Sequence, residues 1–454
     1  MENIFKGRWW LPDHPEKVIS GDLNVSYSQS NELIIDGSLS ESKVLQVTGD
    51  YEIIIGRLNN GKDVTLVKCK NSGSSSNSES GVVETRFFVK SVLIGEQFNN
   101  ISEIKFKKYL IEYLYLNQWI NISVVESRFP NICIKKLDPI VLLNNSEGAT
   151  IRILLNSKIS HKVFKLEIAQ ENNILMEFVN GKTVEEFLAY NYKLQNIFSL
   201  LLNENIYPLR IKCQVDKIRD GISFPSEIDI YSWLRDKETD SNTERYFPRS
   251  NLVYNEIKDN IENIFEKWFK ISEDIEPVFN LYFSVIRKPD IYVENKFHSL
   301  MQAIETYHRR VVGGREEEQD KYDLKKKTIV DSVDEAYKDW LDKKLTYGNE
   351  ISLRKRLEYI VNKYGLCFKG IVEFNNILMN KIINTRNYLT HYDKRFKKDE
   401  IFSDLKLAFC NELLKMIIEA ILLVEIGIKQ DDIRQIFYKR ERDNMVVKLR
   451  ELTS

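Results

Sequence analysis

The sequence lacks the features that would place this protein in a membrane, outside the cell or along nucleic acid. Its longest apolar stretch, 416–428, is interrupted by Glu419, Glu425 and Gly427, so it is too short and too charged to span a bilayer. The five cysteines are scattered and form no C-x-x-C pair, which argues against a disulfide framework and a zinc knuckle. The first residues carry no apolar core of a signal peptide. These absences predict a cytoplasmic protein without a membrane partner.

The chain also lacks an excess of basic residues, and its C-terminal part lacks proline. Lys and Arg total 66 against 67 for Asp and Glu, which excludes a basic coat over the whole chain, so any nucleic-acid site must be local. All nine prolines lie at or before Pro289. Residues 290–454 therefore have no proline, and their 3.6-residue periodicity predicts helices.

The N-terminal region has the pattern of strands. Residues 19–27 alternate between apolar and polar side chains, as in a half-buried strand. Asn60-Gly61 lies between two apolar runs and predicts a two-residue hairpin. The serine-rich segment 72–81 predicts a flexible insert between strands. Residues 1–149 are therefore expected to form a β-rich, β-sandwich-like domain.

The remaining chain completes a multidomain α+β protein. Residues 150–250 predict a mixed α/β lobe, with a helix near 184–202 that Thr183 and Glu186 introduce as a capping box. Residues 251–454 predict an all-α helical bundle. Its helices are expected near 255–272, 294–312, 330–345, 350–364, 371–390 and 399–427.

One helical segment carries the strongest chemical signal. Residues 381–398 hold six basic residues and one acid in a nearly neutral chain. Asn387 and His391 are four apart and so share one helical face, where Asn387 can set the histidine tautomer. The guanidinium of Arg386 matches a phosphate with two parallel hydrogen bonds, and histidine exchanges a proton near neutral pH. This combination can cleave an RNA phosphodiester without a metal. The alternative is an ion-pairing arginine and a capping histidine.

The basic residues after this motif are candidates for RNA binding. Lys394, Arg395, Lys397 and Lys398 follow within one or two turns and can continue a phosphate path. A solubilising surface patch is the competing interpretation.

Two other motifs do not support a cofactor. Gly181-Lys182-Thr183 has Met176 where a phosphate-binding loop requires glycine, so it is interpreted as a turn with a threonine cap. His161, His298 and His308 have no second ligand at helical spacing, and His298 and His308 are interpreted as structural. We therefore predict no metal and no cofactor.

Several of these residues resemble a known family. Arg386-Asn387-x-x-x-His391, late in a helical C-terminal domain, resembles the motif of HEPN ribonucleases. The helix 294–310 resembles the first helix of the HEPN module in the ApeA antiphage family. The opening 5–12, with its Gly-x-Trp-Trp-x-Pro pattern, resembles the start of that family's N-terminal β domain.

The resemblance implies a ribonuclease that arrests translation in a phage-infected bacterium. HEPN modules are helical bundles that commonly form homodimers and bring two motifs to one cleft. The implied chemistry is attack of the RNA 2′-hydroxyl on the adjacent phosphorus, which leaves a 2′,3′-cyclic phosphate. His391 would be the general acid/base, Arg386 would stabilise the transition state, and Asn387 would orient His391 or the phosphate. Glu305 is a weaker candidate, for which an ordinary salt bridge is the alternative.

The resemblance leaves the RNA and the trigger open. tRNA, mRNA and rRNA are all candidate substrates. The large N-terminal region is expected to sense a phage-derived trigger or to regulate the nuclease, an inference from architecture alone. Three other functions compete with this one: an RNA-binding HEPN module that does not cut, a ligand-binding β-sandwich protein with a helical oligomerisation domain, and a HEPN toxin controlled by a separate nucleotidyltransferase antitoxin.

Overall fold

The structure is a computed structural model, and the chain divides into two compact units, residues 1–266 and 267–454. The residues that it describes are 3–39, 49–76, 83–128, 131–144, 148–219, 222–232, 251–288, 290–392, 396–440 and 452.

The first unit is built mainly from strands. These are β1 (Asn3–Leu11), β2 (His14–Val25), β3 (Asn31–Asp36), β4 (Tyr51–Leu58), β5 (Asp63–Ser76), β6 (Val83–Ile94), β7 (Lys105–Tyr113), β8 (Val125–Arg128), β9 (Asn131–Ile134), β10 (Ile140–Asn144), β11 (Ala149–Lys162), β12 (Lys165–Thr183), β13 (Pro208–Arg219) and β14 (Ile222–Ser232). Its helices are α1 (Leu116–Ile120), α2 (Val184–Leu202) and α3 (Tyr254–Ile257), and α4 (Ile261–Asp274) crosses the boundary between the units.

Six of these strands close into a barrel. The antiparallel order β6-β3-β2-β1-β4-β5 returns to its start because β5 also pairs with β6. The first half of β6 pairs with β3 and its last four residues pair with β14, so β6 joins the barrel to the rest of the sheet. That part continues as β14-β13-β7-β12-β11-β10. Closure removes free edges from the barrel strands.

Trp9 packs in the core of the barrel and explains why position 56 is a glycine. Its ring is fully buried, and its indole N–H donates to the carbonyl oxygen of Gly21 at 3.2 Å. A Cβ atom on Gly56 would lie 2.3 Å from the Trp9 ring, so only glycine fits beside it. The Trp9 position in the sequence motif is therefore a packing position.

Helix α2 covers the sheet that extends from the barrel. The Phe187 and Tyr109 rings stack with centroids 3.8 Å apart, and Phe187 is fully buried. The predicted capping box is present, since Thr183 and Glu186 bond each other's backbone N–H groups.

The second unit is helical. Its helices are α5 (Glu276–Arg287), α6 (Val293–Tyr307), α7 (Gln319–Asp331), α8 (Glu335–Leu345), α9 (Leu353–Tyr364), α10 (Asn376–His391), α11 (Asp404–Glu425) and α12 (Gln430–Arg440). Helix α6 lies at the centre and contacts α5, α9, α10 and α11.

A buried polar cluster joins three of these helices. The Tyr307 and Tyr364 hydroxyls donate to one carboxylate oxygen of Glu425, at 2.7 and 2.9 Å. Lys363 also donates to that oxygen, at 3.2 Å. Burial raises the pKa of Glu425, but these hydrogen bonds outweigh it and hold the pKa below the usual range.

The predicted division into a β-rich N-terminal part and a helical C-terminal part is confirmed. The β-rich part is a barrel continued by a sheet rather than two stacked sheets, and β11 to β14 belong to that same sheet. A hairpin at Asn60-Gly61 joins β4 to β5 as predicted, but residues 59–62 separate the two strands, so the connection is longer than the predicted two residues. Residues 72–76 of the expected insert extend β5, and 77–81 lie outside the described residues. Helices α5 and α7 were not predicted, although Pro277 in the first turn of α5 is a helix-start signal.

Candidate functional site

Helix α10 carries the predicted motif. The side chain of Asn375 caps its start by accepting from the N–H of Leu378 at 3.0 Å. The helix buries a stripe at spacings of three and four residues, Leu378, Ile382, Thr385 and Leu389. This stripe turns Arg386, Asn387 and His391 away from the core.

Thr385 fixes the chain that follows the motif. Its hydroxyl donates to the carbonyl oxygen of Lys381 at 2.6 Å and accepts from the backbone N–H of Phe402 at 2.8 Å. Thr385 is fully buried. The segment before α11 is therefore tied to α10 one residue from Arg386.

Arg386 is held from two sides. Its Nε donates to Oε1 of Glu305 on α6 at 3.3 Å, and its Nη1 donates to Oδ1 of Asn387 at 3.4 Å. The Arg386 and Glu305 side chains keep 32% and 25% of their exposure, so the pair is partly open to solvent. The guanidinium thus has a fixed direction and remains accessible.

A polar cavity of about 350 Å³ lies between α6 and α10 beside this pair. It is lined by His298, Met301, Gln302, Glu305, Thr306, Arg309, Arg386 and Thr390. His298 and Glu305 are seven residues apart on α6, so both lie on the helix face that lines the cavity. The cavity therefore brings two arginines, a histidine and a carboxylate together.

A π-helical turn, His308–Val312, follows α6 and carries Arg309 to the cavity. His308 is buried, and its Nδ1 accepts from Nη1 of the buried Arg356 at 3.3 Å. Burial and then the Arg356 charge lower the pKa of His308, which favours the neutral ring with its proton on Nε2. Arg309 itself pairs with Glu350 at 3.3 Å and stays largely exposed.

His391 is the last residue of α10 and is exposed. It does not line the cavity beside Arg386. The Asn387 side chain bonds Arg386, and within the described residues no hydrogen bond joins Asn387 to His391. Arg386 and His391 thus lie on one helix with the histidine ring facing solvent.

The predicted basic patch is only partly described. Lys394 and Arg395 lie outside the described residues. Lys397 and Lys398 are exposed, and Lys398 lines a second cavity on another side of α10.

The α6 side of this site is only weakly marked in the sequence. Glu305 was a weaker candidate, His298 was interpreted as structural, and Arg309 was not singled out. The available signal was the seven-residue spacing of His298 and Glu305, which predicts one shared helix face.

Two family models together match most of the chain. Residues 4–268 match the model of ApeA N-terminal domain 1, and residues 298–432 match the model of the Apea-like HEPN domain. The chain belongs to the ApeA-like HEPN family. Both arms of the site, α6 from His298 onward and all of α10, lie within the HEPN match. No curated protein and no solved structure matches the chain.

Membership in the ApeA-like HEPN family confirms the resemblance seen in the sequence. The family is one of antiphage HEPN nucleases, and HEPN domains are generally ribonucleases that commonly dimerise. Among the described residues, no three His, Cys, Asp or Glu side chains are grouped so that they could hold a metal ion. None of the described helices combines the length and apolar character that a membrane crossing requires.

Proposed function

We propose that this protein is a metal-independent endoribonuclease that defends a bacterium against phage by cleaving cellular RNA. The observation that carries the proposal is Arg386, fixed by Glu305 at the edge of a polar cavity, with the exposed His391 on the same helix. Phosphodiester cleavage without a metal needs charge stabilisation, which arginine can supply, and proton transfer, which histidine can supply.

The reaction begins with attack of a ribose 2′-oxygen on the neighbouring phosphorus. The 2′-hydroxyl proton passes to a base, the bond from phosphorus to the 5′-oxygen breaks, and the leaving 5′-oxygen takes a proton from an acid. His391 serves these proton transfers, and a homodimer through the helical unit supplies two copies of it at one cleft. The products are a 2′,3′-cyclic phosphate and a 5′-hydroxyl.

Arg386 stabilises the extra negative charge on the phosphoryl oxygens. Its planar fork can present two N–H groups to two of these oxygens. Glu305 is a positioning residue, because it holds Nε while leaving the guanidinium accessible. Asn387 steadies the same group through Nη1.

The N-terminal barrel and sheet are proposed to restrain the nuclease until a phage-derived trigger is present. A toxic nuclease needs such restraint, and the first unit is the part of the chain without the motif. tRNA is one candidate substrate.

The test is end-mapped RNA sequencing from cells that express the wild type or the His391→Ala variant, with phage plating measured in parallel. The proposal expects new RNA ends and reduced plating only with the wild type. Equal RNA ends in both strains, at equal protein levels, would refute the assignment of His391.

A further inference from the structure

A second cavity, of about 610 Å³, lies beside α10 in the helical unit. It is lined by Tyr292, Glu294, Asn295, Tyr388, Leu389, Tyr392, Lys398, Ile401, Phe402, Ser403, Asp404 and Leu407. Its volume lies within the usual range for small-ligand pockets, roughly 300–1,000 Å³.

Three tyrosines make this cavity chemically distinctive. Tyr292 and Tyr392 expose 77% and 65% of their surface. The Tyr388 and Tyr392 rings contact each other with centroids 5.8 Å apart. Tyr392 has a positive φ of 49°, and its backbone N–H bonds the carbonyl oxygen of Tyr388, which holds it at the end of α10. The cavity thus offers aromatic surface that the fold itself does not use for packing.

The position of the cavity relates it to the motif. Successive residues of a helix are rotated by about 100° about its axis. Measured from Arg386 on α10, Asn387 is rotated by about 100°, His391 by about 140° and Tyr388 by about 200°. The cavity beside Arg386 and the tyrosine cavity therefore flank a ridge that carries His391. Tyr392 is the next residue in the chain.

We propose that this tyrosine cavity binds an unpaired nucleobase of the RNA substrate, next to the nucleotide that is cut. The inference rests on the proposed function, because it takes single-stranded RNA as the ligand. Bases stack on aromatic side chains in a way that tolerates any sequence, and Lys398 at the rim supplies a charge for the adjoining phosphate.

The polar lining of the cavity adds recognition of the base edge. Glu294 and Asn295 begin α6, and their side-chain oxygens can accept hydrogen bonds from exocyclic amino groups. Adenine, cytosine and guanine carry such groups, and uracil can donate its ring N3–H to the same oxygens. Glu294 and Asn295 can therefore bind the edge of any of the four bases.

The test measures binding by the full chain to short 2′-O-methyl RNAs of about eight nucleotides, which cannot be cleaved through the 2′-oxygen. In a matched set of RNAs, each member lacks the base at a different position. The phosphate contacts therefore stay constant while one base is removed. For the wild type we expect one position at which base removal weakens binding roughly 5- to 150-fold. Tyr392→Ala and Tyr292→Ala should abolish that difference, and Tyr392→Phe should retain it. Tyr347→Ala is the matched control, since Tyr347 is 73% exposed and lies outside the cavity.

The outcomes separate this inference from the nuclease proposal. In one outcome, unmodified RNA is cleaved in a way that depends on His391, but the tyrosine variants bind the abasic RNAs as the wild type does. That outcome would overturn the proposal of a base-binding cavity and retain the nuclease proposal. Base-dependent binding without any cleavage would retain the proposal of a base-binding cavity and overturn the nuclease proposal. Tyrosine variants that change only the oligomeric state, measured by sedimentation, would assign this surface to a second copy of the chain and overturn the inference.

Discussion

Arg386 and Glu305 are 81 residues apart in the chain, yet Nε of the arginine lies 3.3 Å from Oε1 of the glutamate. The pair joins α10 to α6 at the edge of the polar cavity. Because both side chains remain about a quarter to a third exposed, the ion pair adds only about 0–1 kcal/mol to stability. Its consequence is the fixed direction of an accessible guanidinium.

Truncation of either motif residue should remove RNA cleavage and leave the fold intact. Arg386→Ala and His391→Ala are each expected to lower the cleavage rate by about 10²–10⁴-fold, since each removes a charge or proton-transfer group. His391 is exposed and Arg386 is partly exposed, so neither change opens a core cavity. The measurements are single-turnover cleavage and thermal unfolding.

Two variants sharpen that experiment. Arg386→Lys should not restore activity, because an ammonium lacks the planar fork. His161→Ala is the matched control, since this histidine is exposed and lies on β11. Full phage protection by a folded Arg386→Ala protein would contradict the assignment.

Glu305→Gln should reduce cleavage by about 10- to 100-fold, because loss of the ion pair lets the guanidinium leave its reactive position. The loss should appear in kcat more than in KM, with little change in thermal stability. The double variant Glu305→Gln/Arg386→Ala should be no slower than Arg386→Ala alone, because Glu305 acts through Arg386. Glu358→Gln is the control, as Glu358 pairs with Arg354 on α9 at 3.5 Å. Additive losses in the double variant would show that Glu305 acts independently.

Cleavage should survive EDTA and should require the 2′-hydroxyl. The proposed chemistry uses Arg386 for charge and His391 for protons, with no step that calls for a metal. A single 2′-deoxy nucleotide at the scissile position should block cleavage, and products from unmodified RNA should carry 2′,3′-cyclic phosphate ends by mass spectrometry. Loss of activity in EDTA with recovery in magnesium would replace this chemistry by a metal-dependent one.

The sequence predicted the elements that are governed by local signals. The capping box at Thr183 and Glu186, the Asn60-Gly61 turn and the apolar stripe of α10 each depend on residues within a few positions of each other. The family motif was equally visible, because Arg386 and His391 lie on one helix.

Contacts between distant segments could not be predicted in the same way. Closure of the barrel depends on pairing of β5 with β6 and of β1 with β4, and alternation within a strand says nothing about its neighbours. The placement of His298, Glu305 and Arg309 in one cavity with Arg386 depends on how α6 packs against α10. The π-helical turn that carries Arg309 leaves no signal in sequence periodicity.

Reversal of two lysines tests the phosphate path. Lys397→Glu/Lys398→Glu should weaken RNA binding at low salt with unchanged thermal stability, because both side chains are exposed. Each lost phosphate contact should reduce the slope of log affinity against log salt by about 0.7. The matched control is Lys343→Glu/Lys344→Glu on α8, an exposed pair of the same charge. Unchanged binding by the 397/398 variant would leave these lysines as a solubilising patch.

The buried His308 should make stability fall when the pH drops below the usual histidine range. Burial and the charge of Arg356 lower its pKa in the folded protein, whereas an unfolded histidine titrates near about 6.5. Between these two values the unfolded chain binds more protons than the folded chain, so the free energy of unfolding decreases as the pH falls. The His308 ring accepts a hydrogen bond from Arg356 and supports the turn that carries Arg309. Protonation of His308 should therefore also loosen the site.

Thermal unfolding measured from about pH 7.5 to 5 should show a smaller decrease in stability for His308→Gln than for the wild type. The glutamine side-chain oxygen can still accept a hydrogen bond but does not titrate. Glu425, whose pKa is also lowered, adds its own loss only at more acidic pH, because carboxylates protonate there. Parallel curves for the wild type and His308→Gln would assign the pH dependence to other groups.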